Sequence, residues 1–193
     1  MIFIKMRKRN IKAVIVFAMI FSVTIGWMGN GLSVYALGYK TDNLYCTFTD
    51  INEKEISTEN TNKRAKLIIF GTTTCGKSVG TVGHISESDW IRSKDVSVVF
   101  AESSGAEKKE VKKFVKDYQI KRVKCCYATD DSINEAMWDY CDAWELGYTI
   151  SYPVVVYIDK NDNIRNVTTD YNDIDAILDN INEYTKLRYK KKH

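Results

Sequence analysis

Residues 66–83, KLIIFGTTTCGKSVGTVG, constrain this 193-residue chain more than any other stretch. The unbroken apolar run Leu67-Ile68-Ile69-Phe70 has no polar alternation, so it fits a central strand covered on both faces. Gly71 and three threonines turn the chain. Gly76, Lys77 and Ser78 then open a predicted helix over 76–92, with Val79, Val82, Ile85 and Trp90 facing inward. A buried strand running into a helix N-terminus leaves unpaired N–H groups and a positive dipole end, which favour an anion. Two anions suit the place. One is the thiolate of Cys75. The other is a bound phosphate, because Gly71-x-x-x-x-Gly76-Lys77-Ser78 satisfies the P-loop pattern.

The rest of the chain supplies partners for that strand. Residues 44–51 alternate apolar and polar, as a half-buried strand does, and 55–63 read as a polar connection. Residues 96–101 are a second apolar strand. A helix over 106–118 places Val111, Phe114, Val115 and Tyr118 on one side. Residues 122–127 form a further strand, and Asp130-Asp131-Ser132 offers an N-cap to a helix over 133–146 carrying Met137, Tyr140, Cys141 and Trp144. Pro153 opens a strand over 154–158, a hairpin turn follows at 159–163, and 164–168 returns antiparallel. A last helix over 173–187 turns Ile174, Ile177, Leu178 and Ile181 inward. The tryptophans Trp90, Trp138 and Trp144 are expected in the core. Alternating strands and helices closed by a hairpin and a helix predict an α/β fold with a mixed sheet, one domain over 44–187.

Residues 1–12 carry Lys5, Arg7, Lys8, Arg9 and Lys12 and no acid, and 13–28 are almost wholly apolar. Val34-Tyr35-Ala36 offers a cleavage site, so 1–36 reads as a secretory signal, or as a retained membrane anchor, since the apolar run is near the ~17-residue lower limit for a span. Residues 37–43 are a linker. The expected location is extracytoplasmic, secreted or tethered to the outer face of the membrane, with membrane contact only if the segment is retained. Five of the 28 Lys and Arg lie in 1–36, leaving 23 against 25 Asp and Glu. The remaining chain is near −2, which gives no case for nucleic-acid binding. The tail 188–193 is basic and reads as a solvated terminus or a contact for anionic lipid.

Four segments carry a family resemblance: Phe48-Thr49-Asp50-Ile51-Asn52-Glu53-Lys54-Glu55, the strand and turn through Ser78, Glu110-Val111-Lys112-Lys113-Phe114-Val115-Lys116-Asp117-Tyr118, and Ser151-Tyr152-Pro153-Val154-Val155-Val156-Tyr157-Ile158-Asp159. Together they resemble the thioredoxin-like superfamily, in particular extracytoplasmic redoxin and cytochrome-c-maturation thiol–disulfide oxidoreductases. The resemblance implies a thioredoxin-like fold with an inserted strand–helix pair. It also implies a cis bond at Pro153, in a loop that faces the active cysteine and pairs with substrate backbone. A trans proline opening an edge strand is the alternative. The motif departs from the family's Cys-x-x-Cys: here it is Cys75-Gly76-Lys77-Ser78, preceded by Thr74, and Tyr152 stands before the proline.

Cys75 is therefore the expected nucleophile, tuned by Lys77 and by a hydrogen bond from Ser78, with Thr74, Gly76, Tyr152 and Pro153 contacting substrate. A lone thiolate can attack a disulfide but cannot release the adduct through its own second sulfur. Resolution falls to a partner thiol or a distant cysteine. Cys141 is the first internal candidate. Cys125 and Cys126, neighbours on a strand, point to opposite faces. For these two, Cys141 and Cys46 the competing reading is a small buried hydrophobe or a disulfide partner. The expected partners are exported protein thiols or disulfides and a thiol reductant. No cofactor and no metal are implied: the two histidines are His84, read as a helix-surface residue, and the terminal His193. The alternatives are a non-catalytic binding module of the same fold, with Cys75 idle or a tether, and a nucleotide site at 71–78. The strand 154–158 followed by Asp159 mimics a magnesium-binding acid. An export signal, and the place of Asp159 in a hairpin turn, argue against that site.

Overall fold

The computed structural model describes residues 44–59, 64–128, 130–147 and 150–190, with side chains through 183. The expected signal or anchor (1–36), the linker (37–43) and residues 191–193 lie outside the described residues.

The strands are β1 (Thr47–Asp50), β2 (Glu55–Ser57), β3 (Ala65–Gly71), β4 (Val96–Glu102), β5 (Lys124–Tyr127), β6 (Val154–Ile158) and β7 (Ile164–Thr168). The helices are α1 (Gly76–Glu87), α2 (Lys108–Asp117), α3 (Ser132–Ala143) and α4 (Tyr171–Lys190). One mixed sheet runs β2-β1-β5-β4-β3-β6-β7. β3 pairs parallel with β4, Gly71 against Glu102, and antiparallel with β6, Phe70 against Val154.

Every residue of β3 is buried, so its alternating side chains serve two cores. Leu67 and Ile69 meet Val82 and Ile85 of α1, Val111 and Phe114 of α2, and Ile174, Ile177 and Ile181 of α4. Ile68 and Phe70 meet Phe48, Ile133, Met137 and Tyr140 on the other face. Burying each such side chain stabilises the fold by roughly 1.5–3 kcal/mol relative to exposure. Lys66 is the exception on the strand: its ammonium donates to the carbonyl oxygens of Ser57 (3.3 Å), Thr58 (2.6 Å) and Glu59, tying the end of β2 to the sheet.

Several expectations need correction. Residues 55–57, read as a connection, form β2, which pairs antiparallel with β1. The helix expected over 76–92 stops at Glu87, and Asp89–Arg92 forms a separate 3-10 turn that buries Trp90 and Ile91. Ser88, between them, is extended at φ −65°, ψ 140°, and its hydroxyl caps the His84 carbonyl. α2 ends at Asp117, leaving Tyr118 exposed although its ring still meets Phe114 at 5.4 Å. Trp138 is exposed and Trp144 half-buried at the end of α3, so only Trp90 of the three is a core residue. α4 continues through Lys190, past the expected end at Leu187. No helix among the described residues is long and apolar enough to cross a membrane.

Candidate active site

Cys75 is the N-cap residue of α1, with an extended backbone at φ −82°, ψ 117°. Its N–H donates to Thr72 Oγ1 (3.0 Å), which closes the threonine turn. Its carbonyl accepts the first helical bond, from Val79 N–H. The sulfur thus sits where the helix presents free N–H groups. Its pKa lies below the ordinary thiol value. The largest cause is the neighbouring Ser78 backbone N–H, followed by the Ser78 hydroxyl, although the thiol itself makes no capping hydrogen bond to the helix. The Lys77 N–H and ammonium add less, and partial burial opposes all of them. Lys77, Thr74 and Gly76 are exposed, whereas Ser78 is fully buried.

Gly71 makes room for Ser78. A Cβ at position 71 would stand 2.7 Å from Ser78 Oγ, 2.9 Å from Ser78 Cβ and 3.2 Å from Phe100 Cε2. Glycine is therefore required by the close approach of the helix to the strand end. Ser78 Oγ also accepts from Thr72 N–H at 3.4 Å.

The antiparallel β3–β6 register brings the loop before β6 against this turn. The Tyr152–Pro153 bond is cis and Pro153 is buried. The Cys75 thiol donates to the Tyr152 carbonyl at 3.9 Å. Tyr152 is half-buried, and its hydroxyl donates to the Ser103 carbonyl at 3.4 Å. Burial, and then the nearby Glu102 carboxylate, push the Tyr152 phenol above its usual pKa, so it remains a donor. Cys75, Lys77, Ser78, Thr74, Gly76, Tyr152 and Pro153 therefore share one end of the sheet, where β3 and β4 both finish.

Glu102 is the residue that sequence reasoning missed. It is 1% exposed and lies opposite Gly71. The signal was an acid closing an apolar strand immediately before Ser103-Ser104-Gly105.

The other cysteines are placed differently. Among the described residues no disulfide forms, and all five thiols are free. Burial pushes Cys46 and Cys141 up to about 11, and Cys125 and Cys126 up to about 12. Cys125 and Cys126 do face opposite cores, but on β5, which β4 separates from β3. Cys141 is fully buried in the core on the sheet face opposite α1, so it is poorly placed as a resolving thiol.

Asp159 is not placed to serve as the magnesium-binding acid of a nucleotide site at 71–78. Asp159 follows Ile158, which pairs with Lys66 at the start of β3, so it sits at the sheet end opposite 71–78. Its carboxylate accepts from Asn161 N–H (2.8 Å), Asn163 N–H (3.0 Å) and Arg165 Nε (2.7 Å) within its own hairpin.

No family model matches the chain, and no curated protein matches its sequence. Solved structures do match. A candidate protein disulfide isomerase from Bacteroides thetaiotaomicron superposes with a TM-score of 0.59 at 15% identity, covering 77% of this chain and 91% of its own. BsSco, a member of the Sco family of cytochrome c oxidase assembly proteins, gives 0.58 at 14% identity, covering 78% and 96%. A thiol:disulfide interchange protein of the thioredoxin family from Chlorobium tepidum gives 0.53 at 18% identity, covering 65% and 83%. The fold is thioredoxin-like. In this thioredoxin-like frame the strand end, the helix N-terminus and the proline loop converge on one sulfur, and a buried serine stands one turn behind it.

Proposed function

We propose that the chain is an extracytoplasmic, monothiol thiol–disulfide exchanger acting through Cys75. The observation that supports this most is the place of the Cys75 sulfur at the N-terminus of α1, where the neighbouring Ser78 N–H and hydroxyl hold its pKa below the ordinary thiol value. They favour the thiolate, which is the nucleophile. The thiolate attacks one sulfur of a substrate disulfide. A bond forms from Cys75 to that sulfur, the old S–S bond breaks, and the second sulfur leaves with the electron pair as a thiolate. A thiolate from outside the chain then attacks the mixed disulfide and releases Cys75. Substrate and reductant are exported protein thiols or disulfides and a small or protein thiol. The basic and apolar pattern of 1–36 supports export, and the membrane is a partner only if that segment is retained.

The test is the alkylation rate of each cysteine in the reduced, folded chain against pH, read by mass spectrometry, with turnover of a model disulfide. Cys75 should label first, with a midpoint below the ~8.5 of a free thiol. Slow labelling with an ordinary midpoint overturns the proposal. The absence of a second sulfur at Ser78 favours one alternative, a binding module that uses Cys75 as a tether. A Cys75→Ser variant that keeps partner binding while exchange is absent in both proteins would support that module.

A further inference from the structure

Glu102 is a carboxylate removed from water beside the site, with a role that neither thiol exchange nor core packing supplies. Burying a charge is expensive unless donors surround it. Here four do. Oε1 accepts from the Ser104 hydroxyl (2.5 Å) and from Thr73 N–H (3.4 Å). Oε2 accepts from Ser104 N–H (3.0 Å) and Ala106 N–H (2.8 Å). Thr73 belongs to the turn that presents Cys75, while Ser104 and Ala106 belong to the loop after β4. The next residue extends the connection: Ser103 N–H donates to the Gly71 carbonyl at 2.8 Å, and the Ser103 carbonyl receives the Tyr152 hydroxyl. The Tyr152 carbonyl in turn receives the Cys75 thiol. The chain of bonds closes on itself, from the Cys75 turn through Glu102, Ser103 and Tyr152 back to the sulfur.

We propose that Glu102 is a positioning residue for Cys75. It holds the 72–75 turn and the 103–106 loop in one register, and so sets the sulfur between its Ser78 donors and the Tyr152 carbonyl. This rests on the thiol-exchange reading. Glutamine has the shape of glutamate, but its NH2 cannot accept a hydrogen bond. Glu102→Gln therefore leaves at least one of these donors facing another donor, and the register loosens.

The experiment uses the full reduced chain. Wild type, Glu102→Gln and Tyr152→Phe are compared by thermal unfolding, by circular dichroism and by the pH midpoint of Cys75 alkylation. Glu102→Gln should raise that midpoint by about half a pH unit, about a threefold loss of thiolate at a pH below the midpoint, with the fold retained. Tyr152→Phe cuts the same ring without touching the carboxylate; it frees the carbonyl that accepts from the Cys75 thiol and should move the midpoint the other way, downward. It provides the reading if Glu102→Gln does not fold. If Glu102 acted only through its field, removing the charge would lower the midpoint. If its role were only structural, melting would change and the midpoint would stay. Either result overturns the assignment. A wild-type midpoint near 8.5 sinks thiol exchange itself, whereas a low wild-type midpoint unmoved by both substitutions sinks only the role of Glu102.

Discussion

Ser78→Ala separates the two groups credited with activating Cys75. The hydroxyl is fully buried, and the backbone N–H at the same position is untouched by the change. A hydrogen bond to a charged group contributes about 1.5–3 kcal/mol, and one pKa step corresponds to about 1.36 kcal/mol. Losing the hydroxyl should therefore raise the Cys75 pKa. The sulfur is partly exposed and water screens the interaction, so thiolate at neutral pH falls by up to about 10-fold. The more basic thiolate is a better nucleophile, with a Brønsted slope of about 0.4–0.5, which returns part of the loss. Exchange with a small aromatic disulfide should slow by up to about 3-fold. Thr72 N–H also loses its Ser78 acceptor, at a cost of about 1–3 kcal/mol in stability. The pH dependence has a definite sign. A thiol whose folded pKa is depressed adds stability above its unfolded value near ~8.5 and loses it as pH falls through the folded value. The stability gap between wild type and Ser78→Ala should thus be wider at pH 9 than at pH 5, read by urea unfolding of the reduced chains. An unchanged alkylation midpoint in Ser78→Ala, with a larger shift in Lys77→Ala, would refute the assignment of activation to Ser78.

Ser78→Cys supplies a sulfur one turn behind the nucleophile. Release of the mixed disulfide should become independent of added thiol concentration, measured by stopped-flow with a chromogenic leaving group. Gly71→Ala drives a methyl group into Ser78 and Phe100. Overpacking of this kind costs about 1–3 kcal/mol, and the Cys75 midpoint should rise because Ser78 is displaced. Cys125, Cys126 and Cys141, held at about 12, 12 and 11 by burial, should stay unlabelled in the folded chain at pH 8. Their folded values lie above the unfolded one, so their contribution is complete below ~8.5 and is lost as pH rises toward 11–12. Denaturant midpoints of the reduced chain should fall between those limits.

The strongest apolar runs were readable from the sequence: 67–70, 96–101 and 154–158 read as strands, and all three are. β2 was not readable because Glu55, Ile56 and Ser57 lie at the sheet edge, where only Ile56 is even half-buried and no periodicity arises. Tyr118 and Trp138 misled for a related reason. A helical period marks a stripe, but the helix end at Asp117 and the width of the α3 face decide who is covered. At the site, Cys75 and Ser78 followed from local spacing, and Tyr152 and Pro153 from resemblance. Glu102 was invisible because its donors come from residues 73 and 104–106, and only the parallel register of β4 on β3 brings them together. Cys141 was overvalued: the apolar stripe of α3 buries it in the core on the sheet face opposite α1, away from the Cys75 turn.

Phe70 paired against Val154 carries a consequence for how the chain becomes reactive. The groups that acidify Cys75 lie within a few residues of it, so they form when α1 nucleates on the end of β3. The carbonyl facing its sulfur comes from a residue 77 positions later. Contacts of that sequence separation carry a loop-closure penalty and form late. Before β6 docks, the sulfur has its Ser78 neighbours but not the Tyr152 carbonyl, which arrives with the last third of the polypeptide. The groups beside the sulfur are supplied in part by its own helix, and the ring through Glu102 and Tyr152 that holds it in place closes only in the completed topology.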